Sequence, residues 1–395
     1  MSFSRLLRRP AVALLIAVAS ASVALAQQPK VPVQTLAKPE ATFADPFTII
    51  SGLRELANGD VIAADMRDRT LQRIDLKSGS ATAIAREGSG PTEYAYPTAV
   101  LALPGDSTAV YDLGNQRYLL LDAEAKPVGT FRMEEGGGGG MMVLRPAQAV
   151  DARGRLYYST RGERMSPSAD GGPPEFSDSG RVIRYDRATK KSDTLGIVFV
   201  PKPRVEASGG PNNQNIMVRP SPMAPEDAWG VAPDGRVGVA RVATDRVEWW
   251  VPGGKVVQGP PVPYAPIKVT DADRKAWWAG TVRGGVNVRS ENGRTTVSPA
   301  SGSVPPMDPS ITWPATKPPF PANAVKVAPS GELWLLRARP AEDPTPTYDI
   351  FDAQGNLVRQ VKLPAETRLV AFGKGVVYLA RKDADDLEYL ERYRL

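Results

Sequence analysis

The side chains that can carry chemistry in this chain are carboxylates, arginines and tryptophans, because the 395-residue sequence contains no histidine and no cysteine. Without histidine the chain lacks the commonest general base and a common zinc ligand, which excludes histidine-dependent catalysis. Without cysteine it has neither a thiol nucleophile nor disulfide bonds. Oxygen chemistry stays open, because carboxylates and amides bind Ca²⁺ and an arginine–carboxylate–tyrosine set can hydrolyse glycosides.

Neither form of oxygen chemistry leaves a recognisable motif. The acidic run Asp383, Asp385 and Asp386 lacks the glycine of a calcium-binding loop, so we interpret it as a solvated hairpin tip rather than a cation site. The glycine run 136–140 precedes neither a Lys-Ser pair nor a helix, which indicates a hinge and not a phosphate-binding loop. We therefore predict no metal ligands and no cofactor, with Ca²⁺ as the alternative.

The candidate binding surface surrounds two adjacent tryptophans. Thr270 or Asp271 can cap a short helix whose far end carries Trp277 and Trp278. Aromatic and arginine side chains combine a large contact area with directed polar groups, which is typical of ligand and partner surfaces. The alternative is that the two tryptophans only pin an insertion to the rest of the fold. The predicted surface comprises Trp277, Trp278, Arg283, Asn287 and Arg289.

Repeated strand–turn–strand units must position these residues. The clearest unit runs from Gly105 to Asp122, and the chain restates it in degraded form as a turn glycine, a β-rich run and a second apolar run that usually stops at aspartate. A repeat of about four short strands is typical of a β-propeller blade, and the shorter intervals match blades of about 40–50 residues. The turn glycines are Gly59, Gly105, Gly154, Gly235, Gly331 and Gly375.

We predict an all-β fold, a six-bladed β-propeller of four-stranded antiparallel blades with loop and short-helix insertions. A seventh blade would have to lie between Gly235 and Gly331. Residues 260–266 and 298–321 within that interval are too rich in proline for central strands. Six blades are therefore favoured over seven.

The last repeat ends without an outer strand, so an N-terminal strand is expected to close the ring. Residues 31–36 and the segment 42–50 are the two candidates for pairing beside residues 387–394. Either pairing would remove exposed strand edges and join the two ends of the domain.

Polar residues of the repeats have a structural and a ligand-binding interpretation. Asp112, Asn115 and Arg117 either cap a turn between blade strands or line the central channel, and we favour the turn. Aspartates at the ends of apolar runs are expected to form Asx turns. The residues assigned to the repeat framework are Gly59, Asp65, Asp75, Gly105, Asp112, Asn115, Arg117, Asp122, Asp186 and Asp352.

Residues 112–117, with the sequence Asp-Leu-Gly-Asn-Gln-Arg, resemble an NHL repeat together with the following apolar run, Asp122 and Phe131. Later copies lose the asparagine–arginine pair. The chain is also similar to bacterial exported six-bladed β-propeller proteins of the TolB-like class, whose Gly-x-Gly-Pro-Gly-Glu-Phe turn resembles residues 88–94. This resemblance covers most of residues 40–395 and implies the fold, whereas the shared turn residues do not specify an activity.

The N-terminus has the pattern of a secretory signal, in which arginines precede an apolar stretch at 11–24 and a small-residue cleavage motif at 24–26. An uncleaved anchor is the alternative, but the apolar run is short for a bilayer. We predict export to the periplasm or the extracellular space, with no membrane span after cleavage. The predicted organisation is a signal peptide at 1–26, a linker at 27–40 and one propeller domain at 41–395, with insertions at about 162–180, 202–226 and 263–322.

The formal net charge is +6, and three of the positive charges lie in the predicted signal. The remaining basic residues are mixed with acids rather than gathered in a stripe, which gives no support to nucleic-acid binding. We expect a monomeric, non-catalytic binding or scaffold protein that recognises a protein, peptide or glycan at the loop-bearing face. The alternative is a hydrolase or lyase that uses carboxylates and Ca²⁺ at the channel mouth.

The environment of the channel entrance separates these two functions. Four or more oxygen side chains converging beneath the tryptophan insertion would favour catalysis, because such a set can bind a cation or share protons. An arginine-lined or apolar entrance would favour recognition.

Overall fold

The computed structural model describes residues 30–133, 146–160, 176–210, 213–219, 221–283, 286–291, 294–299 and 304–395. Only the backbone is described within 204–219 and 282–299. The predicted signal peptide and the glycine run 136–140 lie outside the described residues.

Six small antiparallel sheets stand in a ring in the described part of the chain, which confirms the predicted six-bladed β-propeller. Each blade is a meander that runs from an inner strand to an outer strand. Blade 1 comprises Ile50–Glu55, Val61–Asp65, Thr70–Asp75 and Ser80–Ala83. Blade 2 comprises Pro97–Ala102, Thr108–Asp112, Arg117–Leu121 and Pro127–Phe131. Blade 3 comprises Ala149–Val150, Leu156–Thr160, Ser179–Asp186 and Lys191–Phe199. Blade 4 comprises Ala228–Val231, Val237–Arg241, Arg246–Val251 and Lys255–Gln258. Blade 5 comprises Val325–Val327, Leu333–Leu336, Thr347–Phe351 and Leu357–Lys362. Blade 6 comprises Thr367–Gly373, Val376–Lys382, Glu388–Arg394 and the N-terminal strand Ala41–Thr42.

The N-terminal strand Ala41–Thr42 closes the ring. It pairs antiparallel with Glu388–Arg394, where Thr42 lies opposite Glu391, and supplies the outer strand that blade 6 lacks. The backbone of Phe47 forms a further bridge to Glu388. Closure by the segment that begins at residue 42 is therefore confirmed.

The other candidate for closure, residues 31–36, was wrong. Val33–Thr35 pairs in parallel with Leu357–Lys362 and adds a fifth strand to blade 5. Leu36 then packs, 5% exposed, in the apolar cluster between blades 5 and 6. Because the chain meets the outer edge of blade 5 before it reaches blade 6, it covers two neighbouring edges in succession.

Apolar packing between blades holds the ring together. Among the described residues, buried apolar side chains form six clusters, one between each pair of successive blades. Phe43, Ile50 and Tyr378 belong to the cluster that joins blade 6 to blade 1. Trp249 and Trp250 point to opposite faces of their strand, as alternation predicts: Trp249 packs towards blade 5 and Trp250 towards blade 3.

The two ends of the ring differ because successive strands of a meander run in opposite directions. Turns from first to second and from third to fourth strands share one end, which we call the turn face, and the six predicted turn glycines adopt positive φ there. Second-to-third turns and blade-to-blade connections share the other end, the loop face. The strand ends that flank the long connections 161–178, 200–227, 259–324 and 337–346 all lie at the loop face.

The insertions of the loop face contain regular structure. Residues 202–226, predicted to be a loop, include a hairpin in which Arg204–Gly210 pairs with Asn213–Arg219. The glycines and prolines of this segment obscured the apolar run 216–218, which is compatible with a strand. The next insertion holds the helix Asp271–Arg283 and a second hairpin, Val286–Glu291 with Arg294–Pro299. Among the described residues, no helix has the length and apolar character needed to cross a membrane.

Candidate functional site

A cavity of about 890 Å³ lies on the loop face at blades 3 to 5, and we call it the loop-face cavity. Its size falls within the range of about 300–1,000 Å³ that is typical of ligand sites. Proline contributes apolar surface without a backbone N–H group, so these walls are rigid and poor in donors. The apolar lining comprises Phe176, Val200, Met223, Trp277, Leu336 and the prolines 201, 203, 318, 321, 340, 344 and 346.

The helix Asp271–Arg283 forms one wall of the loop-face cavity. Its first turn is fixed by a reciprocal cap: the Asp273 N–H donates to Thr270 Oγ1 over 3.3 Å, and the Thr270 N–H donates to Asp273 Oδ2 over 2.9 Å. Because the cap fixes where the helix starts, it also fixes which side chains face the cavity, among them Ala276 and Trp277.

Lys317 ties this helix to the second-to-third-strand loop of blade 5. Its Nζ lies 2.5 Å from Asp273 Oδ1 and donates to the Arg339 carbonyl oxygen over 2.8 Å. Burial acts to raise the pKa of Asp273, but the Lys317 ammonium and the Thr270 hydrogen bonds outweigh it and the pKa is lowered. Asp273 is therefore a fixed anion with its partners already in place, which suits a structural role.

The two predicted tryptophans have different environments. Trp277 lines the loop-face cavity and meets Trp313 edge to face, with ring centroids 5.5 Å apart. Trp278 donates its indole N–H to the Pro305 carbonyl oxygen over 2.8 Å, which pins the insertion. Trp278 is thus tied to the insertion, whereas Trp277 lies in the cavity lining.

The other three residues of the predicted surface lie in the same insertion. Arg283 is the last residue of the helix, whereas Asn287 and Arg289 lie in the following hairpin strand. The side chains of these three residues lie outside what the structure describes.

Sequence reasoning missed two arginines that line the loop-face cavity. Arg337 and Arg339 lie in the 337–346 loop of blade 5. Arg337 Nη2 and Arg339 Nε are buried and form no hydrogen bond within the described structure. The two arginines are separated by one residue in a proline-rich loop, and this pattern could have indicated a binding site. The loop was not among the predicted insertions.

Each of these arginines has an acidic neighbour. Arg337 Nε lies 3.3 Å from Asp349 Oδ2, and the Arg337 guanidinium stands 5.7 Å from the Tyr264 ring centroid. Burial raises the pKa of Asp349, although Arg337 opposes the shift. Arg339 pairs through Nη2 with Asp343 of its own loop. The two arginines therefore lie in the cavity lining with their charges balanced by neighbouring acids.

Carboxylates at the loop-face ends of the strands are engaged by backbone or arginine groups. Asp65 Oδ2 accepts the Ile49 N–H over 2.9 Å, and Glu388 Oε2 accepts the Ile50 N–H over 2.7 Å. Arg241 Nη1 lies 2.7 Å from Asp227 Oδ2. Within the described ranges, no three Asp or Glu side chains gather in a metal-binding arrangement. The loop-face cavity itself is mainly apolar, with Arg337 and Arg339 in its lining.

Asp112, Asn115 and Arg117 hold the connector 88–94 between blades 1 and 2. Asp112 Oδ1 accepts the Tyr96 N–H over 3.1 Å, while Asn115 Nδ2 donates to the Gly88 carbonyl oxygen over 2.9 Å. Arg117 Nη2 donates to two carbonyl oxygens of the connector, at 2.5 and 3.1 Å. These contacts belong to a turn and not to the channel lining.

The remaining framework aspartates accept N–H groups of the turns that follow them. Asp75 accepts the Lys77 N–H over 2.8 Å, which is the geometry of an Asx turn. The same arrangement recurs at Asp122, Asp186 and Asp352.

Comparison with known proteins gives neighbours of fold alone. Regucalcin from Agrobacterium tumefaciens shares 13% identity over 92% of this chain and 96% of its own, with a TM-score of 0.42. Virginiamycin B lyase from Staphylococcus aureus shares 10% identity over 91% and 98%, with a TM-score of 0.39. A Bacteroides fragilis protein named as exported shares 10% over 93% and 99%, with a TM-score of 0.43.

No family model matches the chain, and no curated protein is similar to it in sequence. At the level of similarity found among solved structures, the likeness carries no information on activity or ligand.

Proposed function

We propose that the protein is a non-catalytic binding protein that holds an apolar peptide or protein segment in the loop-face cavity. The observation that carries this proposal is an apolar, proline-walled cavity of about 890 Å³ whose lining also contains the guanidinium donors of Arg337 and Arg339. Peptide carbonyl oxygens are acceptors that suit such donors, and apolar side chains suit the walls.

A peptide fits this cavity better than a glycan. Sugars present many hydroxyl groups, which call for a matching number of polar partners in the site. Here Asp273 and Lys317 are committed to each other, and Arg339 is paired with Asp343. Few polar groups are left for a ligand, so most of the binding free energy has to come from apolar contact.

Carboxylate-based hydrolysis is less well supported by the geometry. The acids at the strand ends accept backbone N–H groups or pair with arginine, so they lack the shared, partly protonated arrangement of a catalytic pair. Asp349 is buried with a raised pKa, but Gln360 and Arg337 contact its two oxygens.

We further propose that the protein acts after export, as a propeller of the NHL-like or TolB-like class. The basic, apolar and small-residue pattern of the first 26 residues supports export. The Asp112–Asn115–Arg117 contacts to the connector support the repeat class, because they use the residues that define the resemblance.

Calorimetric titration with end-blocked peptides tests the binding function. One peptide of about nine residues is rich in Leu and Phe, and its partner carries Ser and Gln instead. We expect saturable one-to-one binding of the apolar peptide only. Ala276→Arg, which fills the cavity, should weaken it at least about tenfold, equivalent to about 1.4 kcal/mol.

The matched control is Ala272→Arg, on the same helix but not in the cavity lining. It should leave the affinity within about twofold of the wild type, which is about 0.4 kcal/mol. Equal affinity of the two peptides, or unchanged binding in Ala276→Arg, would refute the proposal.

A further inference from the structure

The turn face carries a groove of about 460 Å³ between blades 2 and 3, which we call the turn-face groove. Three arginines line it, and Asp186 is the one acid in its lining. These arginines come from two turns of blade 3: Arg153 and Arg155 from the first and Arg187 from the second. The groove is separate from the loop-face cavity and does not depend on its function.

One of the three guanidinium groups is neutralised inside the protein. Arg155 Nη2 lies 2.6 Å from Asp151 Oδ2, and the Asp151 side chain is fully buried. Tyr157 donates its hydroxyl to the same carboxylate over 2.8 Å. Asp151 is therefore saturated and fixes Arg155 at the edge of the groove.

Arg187 is held in place without an acidic partner among the described residues. Its guanidinium lies 4.4 Å from the Phe131 ring centroid, which fixes its plane and leaves the N–H edge free. Burial lowers the pKa of Arg187, because the charge is partly removed from water. An anion at the N–H edge would offset this cost.

Arg153 is exposed, and its side chain has no partner among the described residues. The single acid, Asp186, accepts the Ala188 and Thr189 N–H groups of its own turn through Oδ1. The groove therefore presents guanidinium donors whose counter-charges are few and already engaged.

The neighbouring groove between blades 1 and 2 on the same face serves as an internal comparison. Its volume is about 370 Å³, and its lining holds Arg73 and Lys126 together with Asp60, Asp75 and Glu124. Arg73 is paired with Asp60 at 2.7 Å. The groove between blades 1 and 2 therefore lacks the excess of arginine found between blades 2 and 3.

We propose that the turn-face groove binds a phosphate group, with Arg153 and Arg187 as its ligands and Arg155 at its edge. The planar guanidinium fork donates two parallel N–H bonds to the oxygens of a phosphate, which a single point charge cannot do. The phosphate is supplied either by a free phosphorylated compound or by an anionic lipid headgroup.

Titration with inorganic phosphate at low ionic strength, followed by calorimetry, tests this site in the full chain. We expect saturable binding that weakens about tenfold in Arg187→Gln and in Arg153→Gln, as loss of a charged hydrogen bond predicts. Arg153 is exposed, so its variant folds even if Arg187→Gln does not. Arg73→Gln in the neighbouring groove is the matched control and should change the affinity less than about twofold.

Co-sedimentation with vesicles distinguishes the two phosphate sources. Binding to phosphatidylglycerol vesicles but not to phosphatidylcholine vesicles, lost in Arg153→Gln, assigns the groove to a headgroup. Phosphate binding without vesicle binding assigns it to a free compound. Phosphate binding that is absent, or that persists unchanged in both arginine variants, would overturn the proposal.

Discussion

Arg337 and Asp349 form a buried ion pair in which hydrogen-bonding capacity is left unused on both sides. Arg337 Nε lies 3.3 Å from Asp349 Oδ2, and the two side chains are 9% and 1% exposed. Neither Arg337 Nη2 nor Asp349 Oδ2 forms a hydrogen bond in the described structure. The pair joins the third strand of blade 5 to the lining of the loop-face cavity.

Removing one member of this pair should cost far more than removing both. We expect Arg337→Leu to lower the free energy of unfolding by about 3 kcal/mol, because it leaves a buried carboxylate without its counter-charge. Arg337→Leu combined with Asp349→Leu should recover most of that loss. Urea unfolding of the single and double variants measures both changes. A double variant that is no more stable than Arg337→Leu would contradict the cost assigned to the unpaired carboxylate.

Asp112 and the backbone N–H groups that it binds, which we call the Asp112 cradle, should contribute more to stability than the Asp122 turn in the same blade. Asp112 is fully buried and accepts the Ala95, Tyr96 and Asn115 N–H groups. Asp112→Ala strands these donors, so we expect a loss of about 3 kcal/mol, against about 1 kcal/mol for Asp122→Ala at a surface turn.

Limited proteolysis provides the second measurement on the Asp112 cradle. The connector 88–94 should become the first cleavage site in Asp112→Ala and stay resistant in Asp122→Ala. Asp112 accepts the N–H groups of Ala95 and Tyr96 just after the connector, and it orients Asn115, which donates to the Gly88 carbonyl oxygen. Equal resistance in both variants would contradict the role assigned to Asp112.

Lys326 should make stability rise with pH in the alkaline range. It lies on the inner strand of blade 5, and its Nζ donates to the Val370 carbonyl oxygen over a long 3.4 Å. Burial, together with the nearby Arg368, lowers the pKa of Lys326 from 10.5 to about 8. Between these two values the unfolded chain holds a proton that the folded chain has released, so the free energy of unfolding increases with pH.

Lys326→Met should abolish this dependence and stabilise the protein by about 2 kcal/mol at pH 7, where the folded chain carries a poorly solvated charge. The exposed Lys255→Met is the matched control and should leave the pH profile unchanged. Denaturant unfolding at several pH values from 7 to 10.5 gives the comparison. A wild-type profile parallel to that of Lys326→Met would rule out the lowered pKa.

Calcium and chelators should leave thermal stability unchanged. In the described residues no set of three acids is arranged to hold a cation, and ligand-induced stabilisation requires a site that binds in the folded state. Calorimetric scans with millimolar CaCl₂ and with EDTA check this. An upward shift of the melting temperature of several degrees in CaCl₂ would revive the hydrolase alternative.

The fold could be predicted because its signals are local and repeated. Turn glycines such as Gly105 and Gly235 report backbone conformation directly, and the alternation around Trp249 reports which faces are buried. Ring closure was harder to predict, since it depends on which edge the N-terminal segment meets first. The sequence permitted residues 31–36 and 42–50 equally, and only the three-dimensional arrangement separates them.

The candidate site was predicted only through Trp277, for a physical reason. The loop-face cavity is assembled from four connections that are far apart in sequence, so Arg337, Arg339 and Lys317 carry no common local pattern. Each of them looks like an ordinary surface charge until its neighbours are placed. The helix start at Thr270 was predictable, because a capping residue acts on the adjacent turn.

Photo-crosslinking tests the central claim most directly, because it places the ligand on the molecule. An apolar peptide carrying a benzophenone side chain is bound, irradiated and mapped by mass spectrometry. Binding in the loop-face cavity predicts cross-links to the segments 221–226, 273–281 and 336–346, reduced in Ala276→Arg and retained in Ala272→Arg. Cross-links confined to the turn face, or identical patterns in both variants, would contradict it.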